Sequence, residues 1–314
     1  MTILAIETSH DDTSVAIMKN EKVIHMITIS QIEDHKPYGG TVPEIASRLH
    51  VQNIHKAIKS LTKEFDFTEI DLIAYTANPG LIGALQIGYL AANALAIALN
   101  KPIVPINHLE GHFFSAAITQ DITYPSVCLL ISGGHTQLLY AHSPFVIEII
   151  GQTLDDAVGE CYDKVGRKLN LEHPAGPLID KIASANKDKF NCSKYSFPVT
   201  ENKYDFSLSG IKTQFINLIN NYVNRNEEIP VKKIATDFQN LIVNYLKEKM
   251  VNVIEEYQPK SIVLAGGVSA NSGIREMFLT LHENSLIPEK CYSTDNAAMI
   301  AKVAHVLYNE SFKK

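Results

Sequence analysis

Short apolar runs separated by polar turns open the chain. Residues 3–6 (Ile-Leu-Ala-Ile) are followed by a polar turn at 7–13, a second apolar run at 14–18 and a third at 23–29, which predicts consecutive strands. The arrangement returns downstream, with an apolar run at 127–131, the turn Ser132-Gly133-Gly134-His135-Thr136, a run at 137–140 and another at 146–150. A glycine-bearing turn between apolar runs predicts a hairpin, and its recurrence predicts two similar halves. Each half continues with helices and strands in alternation. In the first, 44–61 has helical periodicity, 72–75 is a short strand before Asn78-Pro79-Gly80, and 103–106 is another before His108. In the second, 212–224 and 231–257 are amphipathic helices, 261–264 is a strand running into Ala265-Gly266-Gly267, and 296–308 closes the chain as a helix. This order predicts an α/β fold of mixed layers. Asp, Thr and Pro interrupt the pattern near 120–125, so the expected lobes are 1–122 and 123–314, with the final helix free to pack back on the first lobe.

Composition narrows the function. At 314 residues and 46% hydrophobic content the chain can bury two cores. Residues 81–99 approach bilayer length, but Gly83, Gln86, Gly88, Asn93 and many alanines make a buried helix the expected reading. The net charge of −6 argues against holding nucleic acid by a coat of positive charge. Only Arg48, Arg167, Arg225 and Arg275 could form bidentate phosphate clamps, so a nucleic-acid partner must meet a local patch or a second protein. Cys128, Cys161, Cys192 and Cys291 are widely spaced, with no C-x-x-C pair, and the N-terminus runs directly into a strand rather than a signal peptide. A reducing, cytoplasmic location is expected.

Glycine- or hydroxyl-rich turns follow strands at 8–13, 132–136 and 265–271. Each could aim backbone N–H groups at phosphate oxygens or simply end a strand. None has the P-loop or G-x-G-x-x-G spacing. In His108-Leu109-Glu110-Gly111-His112 the histidines are four apart, so on a helix they share one face and can reach one metal ion. Glu110 lies about 200° around the axis from His108, unlike the base of an H-E-x-x-H protease. Asp295 has two local readings, an N-cap for the alanine-rich helix after it and a carboxylate completing the histidine pair. Asp11 and Asp12 could hold a reacting proton or serve a turn. Asp155, Asp156, Asp163 and Asp180 are further acceptors or solvated helix carboxylates, with Asp180 behind a turn at 173–177 expected to present backbone groups.

Taken together, Ile6-Glu7-Thr8-Ser9-His10-Asp11-Asp12-Thr13, His108-Leu109-Glu110-Gly111-His112, Ser132-Gly133-Gly134-His135-Thr136, Gly266-Gly267-Val268-Ser269-Ala270-Asn271 and Thr294-Asp295-Asn296-Ala297-Ala298 resemble, in this order, the tRNA adenosine threonylcarbamoyltransferases, called TsaD in bacteria. The resemblance spans nearly the whole chain. It implies a duplicated actin-like ATPase (ASKHA, ribonuclease H-like) fold of two lobes with the ligand in the cleft. It also implies transfer of a threonylcarbamoyl group from threonylcarbamoyl-AMP to the N6 amine of the adenosine beside the anticodon, in tRNAs reading codons that begin with A. By position, His108, His112 and Asp295 are expected to bind one divalent ion, iron with zinc as the alternative. Ile131, Ser132, Gly133, Gly134 and His135 are expected to cradle an adenine nucleotide, and Asp163, Gly176, Asp180 and Asn271 to complete its pocket. Asp11 is the expected catalytic carboxylate. The implied partners are tRNA, a shorter homologue (TsaB) and a small ATPase (TsaE), with no membrane. His10, Asn78 and Ala175 depart from the usual Cys, Gly and Gly of the family pattern.

Two other readings share the fold. A small-molecule kinase would bind Mg through carboxylates and needs no histidine pair. A noncatalytic nucleotide-holding scaffold would keep its role after loss of Asp11. The amphipathic helix at 44–61 is either a docking surface or a face packed on its own sheet.

Overall fold

A computed structural model describes residues 1–186 and 195–311; Cys192 lies outside them. Two compact units form, one joining Met1–Asp121 to the segment from Pro288 onward, the other Ile122–Ile287.

In the first unit the elements are β1 (Thr2–Glu7), β2 (Asp12–Lys19), β3 (Lys22–Ser30), α1 (Ile32–His35), α2 (Pro43–Glu64), β4 (Leu72–Asn78), α3 (Ile82–Leu99), β5 (Ile103–Asn107) and α4 (His108–Ser115). The sheet runs β3-β2-β1-β4-β5. β1 and β2, and β2 and β3, are antiparallel, whereas β4 and β5 join in parallel. Every residue of β1 is buried, which places it at the sheet centre. Its even positions, Leu4 and Ile6, pack with Ile54, Ala57 and Leu61 of α2. Pro43 begins α2 where its missing N–H costs nothing.

Residues 81–99 are helical but not buried, contrary to the sequence expectation. Ala84, Gly88, Ala92 and Ala96 form a stripe of small residues facing inward; a Cβ at Gly88 would lie 2.3 Å from Thr8 Oγ1. Larger residues are thereby turned outward, leaving Ile82 81% and Ile97 74% exposed. Among the described residues α3 is the one helix long and apolar enough to cross a membrane by length and composition.

The second unit contains β6 (Ser126–Ile131), β7 (Thr136–Ser143), β8 (Val146–Gln152), α5 (Val158–Lys168), α6 (Ala175–Ala185), α7 (Ser209–Asn224), α8 (Val231–Tyr257), β9 (Ser261–Ala265), α9 (Ser272–Leu279) and β10 (Ser285–Leu286). Its sheet, β10-β9-β6-β7-β8, repeats the order of the first, with the same antiparallel hairpins and parallel additions. The two halves therefore share one topology. Val127, Leu129 and Ile131 of β6 pack with Phe238, Leu241 and Tyr245 of α8 in this core.

Helix α10 (Ala297–Ser311) packs against β1, β2 and α4. The segment from Pro288 belongs to the first unit, the packing back that the sequence leaves open to the final helix, and Ala297, Ala298, Ile300, Ala301, Val303 and Ala304 are all buried. Lys302 and His305 also reach Glu21 at the β2–β3 turn, at 3.2 and 2.9 Å.

Candidate functional site

β5 gives way to α4 without a connecting loop. The Asn107 side chain accepts from Leu109 N–H at 2.8 Å and Glu110 N–H at 3.3 Å, capping the helix at the strand end. His108 and His112 consequently stand one turn apart with ring centroids separated by 4.5 Å. Asp295 reaches them from the segment before α10. Its N-cap alternative is taken by the next residue, since Asn296 Oδ1 accepts from Met299 N–H at 3.0 Å. The Asp295 carboxylate is thus left to face the histidines, with Oδ1 3.1 Å from His112 Nε2 and 3.6 Å from His108 Nε2. Gly111 permits the close approach of α10: a Cβ there would lie 3.0 Å from Ile300 Cδ1 and 3.1 Å from Met299 Cγ.

One donor atom from each of His108, His112 and Asp295 falls within 4.8 Å of the other two. His112 is fully buried, and neither of its ring nitrogens has hydrogen-bond geometry to a partner. Leaving a buried polar atom unsatisfied costs about 1–3 kcal/mol, a cost that coordination of a cation removes. Two imidazole nitrogens and one carboxylate oxygen suit zinc or iron, so the residues present fit a divalent ion. On its other side, His108 Nδ1 lies 3.1 Å from both Glu7 Oε2 and Ser9 Oγ. Burial opposes a charge on His108, but Asp295 and Glu7 outweigh it and raise its pKa to about 9. Asp295, despite burial, is held well below the usual carboxylate range by His108 and His112.

Asp11 and Asp12 stand where β1 turns into β2, in the same unit. His10 Nδ1 pairs with Asp11 Oδ1 at 2.8 Å, and Thr41 Oγ1 lies 3.4 Å from Asp11 Oδ2. Burial works against ionisation of Asp11, but the His10 hydrogen bond and charge keep its pKa below the ordinary value. The turn is clamped by buried His50, whose Nε2–H donates to the His10 carbonyl at 2.8 Å while Nδ1 meets Thr13 Oγ1 at 2.7 Å. Because a carbonyl only accepts, neutral His50 carries its proton on Nε2 and Thr13 donates to Nδ1.

Asp12 behaves oppositely. Burial, and after it the charges of Asp295, Asp11 and Glu7, push its pKa from 3.8 up to about 7, against a hydrogen bond from Ser30. The folded chain therefore holds this proton more tightly than the unfolded chain, and stability linked to Asp12 falls as pH rises from 3.8 to about 7, then levels off. Relative to Asp12→Asn, the wild-type Tm in chelator-containing buffer is expected to drop between pH 5 and pH 7. Parallel melting curves for the two proteins would contradict this.

The remaining sequence-predicted residues lie in the second unit. Ile131 ends β6 and is buried, while a Cβ at Gly133 or Gly134 would meet nothing within 4 Å. Ser132 N–H donates to the His135 carbonyl at 2.8 Å, and His135 N–H donates to Ser132 Oγ at 3.0 Å, closing the turn. Asp163, on α5, accepts from Ala175 N–H at 2.7 Å and holds the start of α6. Residues 175–177 begin that helix rather than a free turn, so Asp180 acts through its side chain. It accepts from Ser272 N–H at 2.9 Å, Ser272 Oγ at 2.7 Å and Gln239 Nε2 at 2.7 Å. Asn271 caps α9 and exchanges two hydrogen bonds with Gln239, at 2.9 and 3.0 Å. Gly176 lies in the first turn of α6, with Tyr162 Cβ 3.9 Å from where its own Cβ would be. The Ala175 methyl packs towards Gly166, where an added Cβ would meet it at 2.2 Å. Asp155 and Asp156 are structural: the first accepts from Leu208 and Ser209 N–H groups and the second pairs with Lys164 and Lys212.

Sequence reasoning missed Glu7, His50 and Gln239. Glu7 had a legible signal, a lone carboxylate at the end of an otherwise apolar strand. Gln239, inside an amphipathic helix, had none.

The family model described as tRNA N6-adenosine threonylcarbamoyltransferase (TsaD) matches residues 22–302. A protein named tRNA N6-adenosine threonylcarbamoyltransferase from Metamycoplasma arthritidis is 58% identical over 305 residues, covering 97% of this chain and 98% of the relative. Among solved structures, HypF of T. kodakarensis aligns with 99% of this chain and 48% of its own at a TM-score of 0.62 and 13% identity. The activator of 2-hydroxyisocaproyl-CoA dehydratase from Clostridium difficile, solved with bound ADPNP, aligns with 100% of this chain and 97% of its own at a TM-score of 0.54 and 12% identity. These structural likenesses, with the repeated sheet order, make the fold a duplicated actin-like ATPase fold.

Proposed function

The chain belongs to the tRNA N6-adenosine threonylcarbamoyltransferase family, and from that membership we infer a transferase that modifies adenosine 37 of tRNAs reading codons that begin with A. The N6 amine attacks the carbamoyl carbon of threonylcarbamoyl-AMP. A C–N bond forms, the bond from that carbon to the phosphate oxygen breaks, AMP leaves with the electron pair, and the amine loses a proton. The donor is already activated, so the protein's task is to align the amine and stabilise developing charge.

His108, His112 and Asp295 hold the divalent ion, iron in our reading with zinc as the alternative. Such an ion supplies positive charge to polarise a phosphate or acyl oxygen. Asp11 accepts the proton of the attacking amine. Its lowered pKa suits a carboxylate that stays ionised and takes a proton only as the nitrogen becomes acidic on bonding to carbon. Ile131, Ser132, Gly133, Gly134 and His135 receive the adenylate through backbone N–H groups, an assignment supported by the open space over both glycines. Asp163, Gly176, Asp180 and Asn271 shape the rest of that pocket, with Gln239 locking the last two together. The lobes that carry these roles are 1–122 and 123–314, with the closing helix assigned to the first. A net charge of −6 favours shared tRNA binding with the shorter homologue TsaB and the small ATPase TsaE, in the cytoplasm.

The observation that carries the site is His112, a fully buried imidazole with both nitrogens unbonded beside a carboxylate. A carboxylate-only Mg kinase site does not explain it. Purified chain given threonylcarbamoyl-AMP, partner proteins and unmodified tRNA is expected to yield threonylcarbamoyladenosine on nucleoside mass spectrometry. ATP turnover with a hydroxyl substrate and Mg, and no modified nucleoside, would overturn the assignment in favour of a kinase.

A further inference from the structure

We propose that Glu7 is a positioning residue for the metal centre: its buried carboxylate accepts the Nδ1–H of His108 and fixes the imidazole with its Nε2 lone pair towards Asp295 and His112. This rests on the reading that His108, His112 and Asp295 hold a divalent ion.

Glu7 ends β1, the fully buried central strand of its sheet, and is itself 0% exposed. A buried carboxylate without partners is strongly destabilising, and here every neighbour can donate. Ser9 N–H donates to Oε1 at 2.5 Å, Thr76 Oγ1–H donates to Oε2 at 2.5 Å, and His108 Nδ1 lies 3.1 Å from Oε2. The sheet register explains the meeting. Ile6 stands opposite Tyr75 in the parallel pairing of β1 with β4, so Glu7 and Thr76 occupy the next position together. Since an ionised carboxylate only accepts hydrogen bonds, the hydrogen between it and His108 belongs to Nδ1. Neutral His108 then has its lone pair on Nε2, the nitrogen that faces Asp295. A carboxylate behind a metal-bound histidine fixes the ring's orientation and raises its basicity.

Glutamine cannot replace this arrangement. With its oxygen kept at Ser9 N–H, its NH2 would meet His108 Nδ1 and favour the opposite tautomer, with Nε2 protonated. Turned over, its NH2 would oppose Ser9 N–H.

The test uses the full chain and zinc alone. Competition against a chromophoric chelator is expected to show zinc binding about 10- to 100-fold weaker in Glu7→Gln than in wild type. Wild-type protein, 15N-labelled at histidine and loaded with zinc, is expected to show a protonated Nδ1 and a metal-bound Nε2 at His108 by NMR, a readout that needs no folded variant. Equal zinc affinity in a folded Glu7→Gln protein, or Nδ1 ligation in the wild type, overturns the proposal while leaving the metal centre standing. Failure of the wild type to bind zinc or ferrous iron overturns the metal reading and the proposal with it.

Discussion

His112→Ala is expected to leave the purified chain with almost no bound metal and to cut threonylcarbamoyl transfer at least about 100-fold, the scale set by losing several kcal/mol of metal-derived charge stabilisation. The argument starts from α4. The Asn107 cap starts the helix at His108, so a residue four further on faces the same way. His112 is fully buried, neither ring nitrogen has hydrogen-bond geometry to a partner, and Nε2 lies 3.1 Å from Asp295 Oδ1, so its removal takes away that pairing with Asp295 and deletes one of three donors. Elemental analysis, transfer rate and Tm should be measured together. Metal and activity should fall in parallel, while the metal-free protein should lose less than the roughly 2–5 kcal/mol of a large-to-small core truncation, because the variant also relieves the cost of about 1–3 kcal/mol of the unsatisfied imidazole. Asp295→Asn should give the same loss of metal with less change in packing, since Asn keeps the size and drops the charge. Unchanged metal content in both variants would remove the assignment.

Asp11→Ala is expected to slow transfer about 10²- to 10⁴-fold, the usual contribution of general acid–base catalysis, with metal content unchanged. Its charged partner is His10, and their side chains are 21% and 49% exposed, respectively. An exposed ion pair contributes about 0–1 kcal/mol, so the variant should melt close to wild type. Asp11→Asn keeps the size and a hydrogen-bond acceptor but not the basicity, and should be nearly as slow as Asp11→Ala. Near-normal transfer by Asp11→Asn would mean that Asp11 orients a group rather than accepting a proton. Wild-type transfer by Asp11→Ala would remove Asp11 from the catalytic machinery.

Much of this was legible in the pattern of apolar runs. The repeated hairpin predicts the shared topology, and the four-residue spacing of His108 and His112 puts them on one face of a helix. Long-range packing was harder to read. The tail joins the first unit because of which sheet face its alanines and isoleucine bury, and 297–304 would read as the same helix against any sheet. For α3, hydrophobic content predicted burial, but the size of each side chain decides which side faces in, and the small ones do. Local sequence alone leaves Asp295 between cap and ligand, and Asn296 takes the cap. Glu7 meets Thr76 and His108, 69 and 101 positions away, and Gln239 meets Asp180 and Asn271, 59 and 32 positions away, and no local pattern encodes such meetings.

The most direct test of a metal-dependent transferase built on α4 and α10 is a reconstitution titration. The chain is stripped with a chelator, ferrous iron or zinc is returned in substoichiometric steps, and threonylcarbamoyladenosine formed in unmodified tRNA is measured at each step. Transfer that rises linearly with bound metal and saturates at one ion per chain, with no response in His112→Ala, is the predicted result. Full transfer by the stripped wild-type chain would contradict the account.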